Sequence, residues 1–237
     1  MKNLNSAQKA LRKIANPRRV KALLYFYKTG PGQYGEGDRF IGVDVPSNRA
    51  IAMKFLTISS NDISQLLHSP IHEDRALGLH ILVENYRRTK DLKNKKAIVS
   101  LYLKHKKFVN NWDLVDMSAH KIVGNYCHLI KDVSILEKLS QSKAHWDKRI
   151  AMVGTFALIR EQDLDLTFKL AQKFLTEKED LMHKACGWMI REAGKRDQKR
   201  LLTFIERHGK KMPRMMLRYA IEKLAPDHRK NILLKTK

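Results

Sequence analysis

The feature that most constrains this chain is a helical apolar rhythm that runs almost from end to end. It is broken only by short punctuation. Glycine (11) and proline (6) are scarce in 237 residues and they cluster. From Ser6 to Ala15, Ala7, Leu11 and Ile14 fall on one helical face. Asn16-Pro17 then restarts the chain, with Asn as a cap and Pro at the first helical position. Further helices are expected to start near Pro46, Ser60, Pro70, Asp91, Asn111, Asp132, Ala144, Asp163, Asp180, Gln198, Pro213 and Asp227. Many of these carry Asp, Asn or Ser side chains suited to capping free amides. The best strand signal, Phe40 to Val45, is too short and isolated to build a sheet. The expectation is an all-α single domain over residues 1–237, with antiparallel helix pairs stacked into a curved solenoid.

A weak internal recurrence agrees with stacking. Asn111-Trp112-Asp113 returns as His145-Trp146-Asp147 34 residues later, and Trp188 follows Trp146 by 42. Periods in the thirties to forties mark helical-pair repeats.

Charge narrows the partner. Lys and Arg number 47 against 24 Asp and Glu, a formal net charge of +23. Such an excess repels itself in a compact state and is compensated most simply by a polyanion, duplex DNA above all, held on a basic concave face. An anionic membrane fits less well, because the charge is spread over many segments rather than set in one amphipathic helix. Clusters at Lys195 to Arg200, Lys210 to Arg214 and Arg229 to Lys237 are candidates for phosphate contacts. The only two cysteines, Cys127 and Cys186, read as buried free thiols. Met1 to Ala10 has no hydrophobic run, so a cytoplasmic, DNA-associated place is expected rather than secretion.

Several chemistries are disfavoured. The GPGQYGEG stretch from Gly30 to Gly37 lacks the Lys-Ser/Thr ending of a phosphate loop, and Glu36 and Asp38 would repel phosphate. His68 and His72 have helical metal-ligand spacing, but Pro70 lies between them and no third ligand is evident. Cys127-His128 is no better, and no Gly-x-Ser-x-Gly motif occurs. No metal or other cofactor is expected.

What remains is a sparse set of residues that are not simply basic. Trp112 and Asp116 stand four apart and share a helical face. Arg149 follows Asp116 by 33 residues, so stacked repeats would bring the two to neighbouring positions. Trp188 leads WMIRE within a later helix, with Arg191 and Glu192 three and four residues on. Each alone reads as core packing or helix-end electrostatics. Together, two indoles, a carboxylate and a guanidinium would suit a nucleotide that carries positive charge.

The segments NWDLVDMSAHKIVG (111–124), HWDKRIAMVGTF (145–156) and HKACGWMIREAGK (183–195) resemble the AlkD-type DNA alkylation repair glycosylases. KTGPGQYGEGDRFIGVDVPSNR (28–49) and LRYAIEKL (217–224) are similar to that family too, so the resemblance covers nearly the whole chain. It implies HEAT-like repeats wrapped round duplex DNA. It implies hydrolysis of the N-glycosidic bond of cationic N3- and N7-alkylpurines, such as 3-methyladenine and 7-methylguanine, as the start of base excision repair. The reaction would need no metal, no lysine Schiff base and no flipping of the base into a pocket. By the same resemblance Asp116 is the catalytic carboxylate, Arg149 holds the adjacent phosphate, and Trp112 and Trp188 pack on the deoxyribose. An aromatic of the second helix, Tyr27 in preference to Phe26, contacts the substrate. The family implies a monomer. The alternative is a non-enzymatic DNA-binding helical-repeat relative, and a weaker one is a solenoid for RNA or protein.

Overall fold

The computed structural model describes residues 2–236. It is all-α, about 70% helical, and no strand occurs among the described residues. No helix among them is long and apolar enough to cross a membrane. The chain divides into two compact units, Met1–Ser118 and Ala119–Lys237.

The first unit contains α1 (Leu4–Lys13), α2 (Pro17–Phe26), α3 (Val45–Ala52), α4 (Ser60–Leu67), α5 (His72–Arg88), α6 (Leu92–Lys104) and α7 (Trp112–Ala119), whose last residue crosses the boundary. Caps set many of the starts. Asn16 accepts the Arg18 amide, Asp44 that of Ser47, Ser59 that of Asp62 and Asp91 that of Lys93. The first helix begins two residues before the expected Ser6, because Asn3 and Ser6 form a reciprocal capping box. α5 is the centre of the unit. It packs against α3, α4 and α6, and Leu77, Leu79 and Ile81 lie fully inside it. Each such side chain contributes about 1.5–3 kcal/mol over its exposed state.

The Phe40–Val45 stretch forms no strand. Its neighbour Arg39 makes a single isolated bridge to Ile71. The segment is instead held by Glu73, whose carboxylate accepts the amides of Ile41, Gly42 and Val43 at 2.8–3.2 Å. Gly42 has φ +86°, and a Cβ there would stand 2.0 Å from the Asn16 carbonyl oxygen, so only glycine fits.

The second unit opens on a π-helical stretch (His120–Gly124). It continues through α8 (Asn125–Leu129), α9 (Ser134–Ser140), α10 (His145–Arg160), α11 (Asp165–Lys173), α12 (Asp180–Gly194), α13 (Gln198–His208), α14 (Arg214–Ala220) and α15 (Pro226–Lys235). α10 packs on α9, α11 and α12, and α12 on α11, α13 and α14. Ile150 to Val153 on α10 and Met189-Ile190 on α12 are fully buried, as are the thiols Cys127 and Cys186.

The recurrence that the structure shows is not that of the tryptophans. Trp112 is the first residue of its helix, whereas Trp146 is the second of α10. The closer match is between the starts of α5 and α10. The Ser69 hydroxyl donates to Asp74 at 2.7 Å and accepts the Ile71 amide at 3.1 Å. The Ser142 hydroxyl donates to Asp147 at 2.7 Å and accepts the Ala144 amide at 3.2 Å. A Ser-x-x-His-x-Asp pattern therefore builds the same helix entry in each unit.

Candidate active site

In the first unit the start of α7 meets the start of α5 and the end of α2. Trp112 is half-buried at the first position of α7. Its indole stacks on Tyr27, with centroids 5.7 Å apart and planes at 22°. Phe26 meets the same indole edge-on at 5.8 Å. Behind Tyr27 lie Phe40, stacked at 4.9 Å, and the imidazole of His72. The aromatic column thus joins α2, the loop before α3, α5 and α7.

The column stands on a cluster of buried charges. His72 Nε2 donates to Asp113 Oδ2 at 2.8 Å, and the Tyr27 hydroxyl donates to the same oxygen at 3.1 Å. His72 Nδ1 lies 3.1 Å from Asp38 Oδ2, which also accepts the Asn111 amide at 3.2 Å. The other Asp38 oxygen accepts from Arg75 at 2.6 Å. Burial opposes charge on His72, but Asp113 and Asp38 outweigh it and raise the imidazole to about 9. Burial likewise opposes the Asp38 charge, and His72, Arg75 and Asn111 overcome it and hold that carboxyl below its ordinary value. Burial and then Asp113 push the Tyr27 phenol up, so it stays protonated as a donor.

The site residues expected from sequence fall as follows. Trp112 and Tyr27 come together. Asp116 lies one turn beyond Trp112 on α7 and is half-buried. Tyr27, expected as a substrate contact, is only 8% exposed, enclosed between Phe40 and Trp112, whereas Phe26 is 57% exposed. The surface aromatic at the end of α2 is therefore Phe26, joined by the exposed Tyr25, and Tyr27 supports Trp112 from beneath. Arg149 and Trp188 belong to the second unit. Arg149 is buried on α10, and one of its guanidinium N–H groups holds the Leu181 carbonyl. Trp188 is half-buried on α12 and rests on Phe156, 6.0 Å between centroids, which in turn meets His120 edge-on at 5.2 Å. Beside Phe156 an open groove of about 450 Å³ is lined with Arg160, Lys195 and Arg196. Arg191 of the Gly-Trp-x-x-Arg-Glu motif pairs with Glu192 and with Glu222, so it ties the motif to the LRYAIEKL segment.

Sequence reasoning missed the charge cluster. His72-Glu73-Asp74-Arg75 is a run of four ionisable residues, which by habit is a solvated face. All four are buried here, none above 4% exposure. Their position, in the first turn of the longest helix and directly before its Ala76–Val83 apolar stretch, was the available signal. His68 and His72 do not converge on one point either. His68 Nε2 lies 2.8 Å from His105 Nδ1, and His72 is taken by its two carboxylates.

The model of one family, described as DNA alkylation repair enzyme, matches residues 7–224. The chain belongs to that family. Repair of alkylated DNA is thus its class of work, and DNA is the partner that class implies. Among solved structures, a predicted DNA alkylation repair enzyme from Enterococcus faecalis superposes with a TM-score of 0.71. The alignment covers 90% of this chain and 97% of that one at 18% identity, which shows a shared fold. No curated protein matches the chain.

Proposed function

We propose that this member of the DNA alkylation repair family is a monofunctional DNA glycosylase, acting on duplex DNA as a monomer. Its substrates would be purines alkylated at N3 or N7, 3-methyladenine and 7-methylguanine among them. The observation that carries the reading is Asp116, a half-buried carboxylate one helical turn from the Trp112–Tyr27 stack in a chain of net charge +23.

The chemistry needs little else. An alkylated purine already bears a positive charge, so no acid must protonate it. The C1′–N bond breaks, its electron pair leaves with the purine, and the sugar becomes cationic. Asp116 stabilises that cation electrostatically and orients the water whose oxygen bonds to C1′. The water's proton passes to the carboxylate and then to solvent, leaving an abasic site and a free base. Such stabilisation is strongest where water is excluded. Neither step calls for a metal or a cofactor. The cavity lined by Phe26, Tyr27, Phe40, His72 and Asp113 is about 150 Å³. Ligand sites usually begin at about 300 Å³, which favours a base that stays outside it.

Trp112 offers an indole face to the cationic deoxyribose. α2 has no buried residue and presents Arg18, Arg19, Lys21, Tyr25 and Phe26 outward, a mixture suited to phosphates and base or sugar faces. From the second unit we assign a phosphate contact to Arg149 and a deoxyribose contact to Trp188. Both assignments rest on the family resemblance of their motifs.

The test is to incubate the protein with methylated duplex DNA and quantify released 7-methylguanine and 3-methyladenine. Release is expected, and Asp116→Asn should lower it by about 100-fold or more while duplex binding persists. Intact binding without release in the wild type would make the chain a non-enzymatic DNA-binding repeat protein.

A further inference from the structure

The Gly-rich segment before α3 and the Trp-Asp start of α7 are far apart in sequence, and the chemistry above uses only the second. The Asn111 amide reaches from one to the other, and His72 holds a carboxylate of each. His72, 3% exposed, places its two ring nitrogens on Asp38 and on Asp113. Asp38 ends the Gly-rich loop, and Asp113 directly follows Trp112. We propose that His72 is a positioning residue for excision: bridging Asp38 and Asp113, it seats Tyr27 and Trp112 and so fixes the face of α7 that carries Asp116. The role rests on the glycosylase reading for its catalytic consequence and on the bridge itself for its structural one.

Counting charges supports the bridge. The groups that face His72 are Asp38 from the loop, Arg75 and the neighbouring Glu73 from α5, Asp113 from α7, and the Tyr27 hydroxyl and Asn111 amide beside them. Glu73 is occupied by three backbone amides. In the remainder two carboxylates face Arg75 and the imidazole. Asp38, Asp113, Arg75 and His72 sum to zero only when the ring is an imidazolium.

A neutral imidazole donates from one nitrogen alone and turns a lone pair on the other. Either Asp38 or Asp113 would then meet that lone pair at about hydrogen-bond distance. The losing contact would open. If Asp113 moves, the acceptor of the Tyr27 hydroxyl moves with it, and Tyr27 is the ring on which Trp112 rests. Misplacement of this kind, on the scale of an ångström, costs up to about 100-fold in rate.

The experiment has two arms. In the first, excision is measured against pH. Wild-type kcat should fall as pH rises through about 9, where His72 gives up its proton. In His72→Gln, kcat at neutral pH should drop about 10- to 100-fold with KM within about threefold, and the alkaline fall should disappear. An unchanged kcat, or an alkaline limb that survives the substitution, overturns the proposal.

The second arm needs no catalysis. Trp146→Phe and Trp188→Phe leave Trp112 as the sole indole, and its emission is titrated. A transition centred near pH 9 is expected, absent in the added His72→Gln and shifted to lower pH in the added Asp113→Asn. No transition with His72 present overturns the proposal. Should the wild type release no base at all, the glycosylase reading falls, and this arm still decides the bridge. Should His72→Gln not fold, the His72 and Asp113→Asn titrations decide it.

Discussion

His72 and His120 are both enclosed histidines, one in each unit, and their surroundings move them in opposite directions. Burial alone would strip the proton from either ring. At His72 two carboxylates reverse that and hold the imidazole near 9. At His120 burial is reinforced by Lys121 and Arg160, and the ring is pushed down to about 4. One is a cation at neutral pH and the other an uncharged ring against Phe156. The difference extends to how each unit is joined. The first fastens its helix starts with buried charge: Asp74 takes both Arg12 nitrogens at 2.6 Å, Glu73 holds three amides, and Asp38 holds Arg75 and His72. The second brings helix backbones into contact, as Gly42 does for a loop of the first. A Cβ on Gly124 would lie 2.0 Å from the Gly154 carbonyl oxygen. Charge networks fix direction and are sensitive to pH and to single deletions. Close-packed backbones answer to volume.

The sharpest way to break the first mode is Asp38→Asn. It removes one of two carboxylates and leaves Arg75 and His72 sharing the other's charge in a buried place. Breaking a buried ion cluster in this way costs about 3–5 kcal/mol, because the remaining charge is uncompensated. In a protein of this size each kcal/mol is worth about 2–4 °C. Thermal unfolding should show a drop on the order of 10 °C, seen first in contacts of the first unit by hydrogen exchange. A loss below 1 kcal/mol would mean that the cluster contributes shape rather than stability.

The counterpart in the second unit is Gly124→Ala. One methyl group must push the π-helical stretch off α10, and overpacking of this kind costs about 1–3 kcal/mol. The sign should not depend on pH or salt, whereas the Asp38→Asn loss should shrink at alkaline pH. There the wild type has itself lost the His72 proton. His72 has its proton-linked stability in full below about 6.5 and loses it as pH rises through about 9, a contribution of the order of 3 kcal/mol. Parallel denaturant titrations at pH 7 and pH 10 separate the two modes.

These two modes were unequally legible in the sequence. Apolar periodicity and caps such as Asn16, Ser59 and Asp91 announce the helices, because both act within a few residues. Trp112 and Asp116 could be placed on one face for the same reason. The Asp38–His72–Asp113 bridge could not be read, because its members lie 34 and 41 residues apart and each looks like a surface charge. The enclosure of Tyr27 could not be read either, because it comes from outside α2. What buries it is Phe40, which arrives on a loop held by Glu73. The paired Ser-x-x-His-x-Asp entries at Ser69 and Ser142 were visible as letters, but only the capping geometry shows why they recur.

A shift of similar size in the opposite direction tests the other end of the histidine comparison. An imidazole whose folded value is depressed favours the native state above its unfolded value and loses that advantage as pH falls. For His120 the loss should therefore run from about 6.5 downward and be complete once pH passes about 4. Its slope is at most about 1.4 kcal/mol per pH unit, the value for one proton. Carboxylates of the first unit, Asp38 among them, titrate at the acid end as well, so the raw profile mixes the units. His120→Gln keeps a neutral polar group of similar size and removes only the proton. The difference between wild-type and variant stability, measured from pH 7 to pH 4, isolates the ring. A difference that narrows steadily toward acid pH means the neutral state of His120 is built into the second unit. A flat difference means that the ring escapes to water when it charges, and that the contrast with His72 is one of exposure rather than of neighbours.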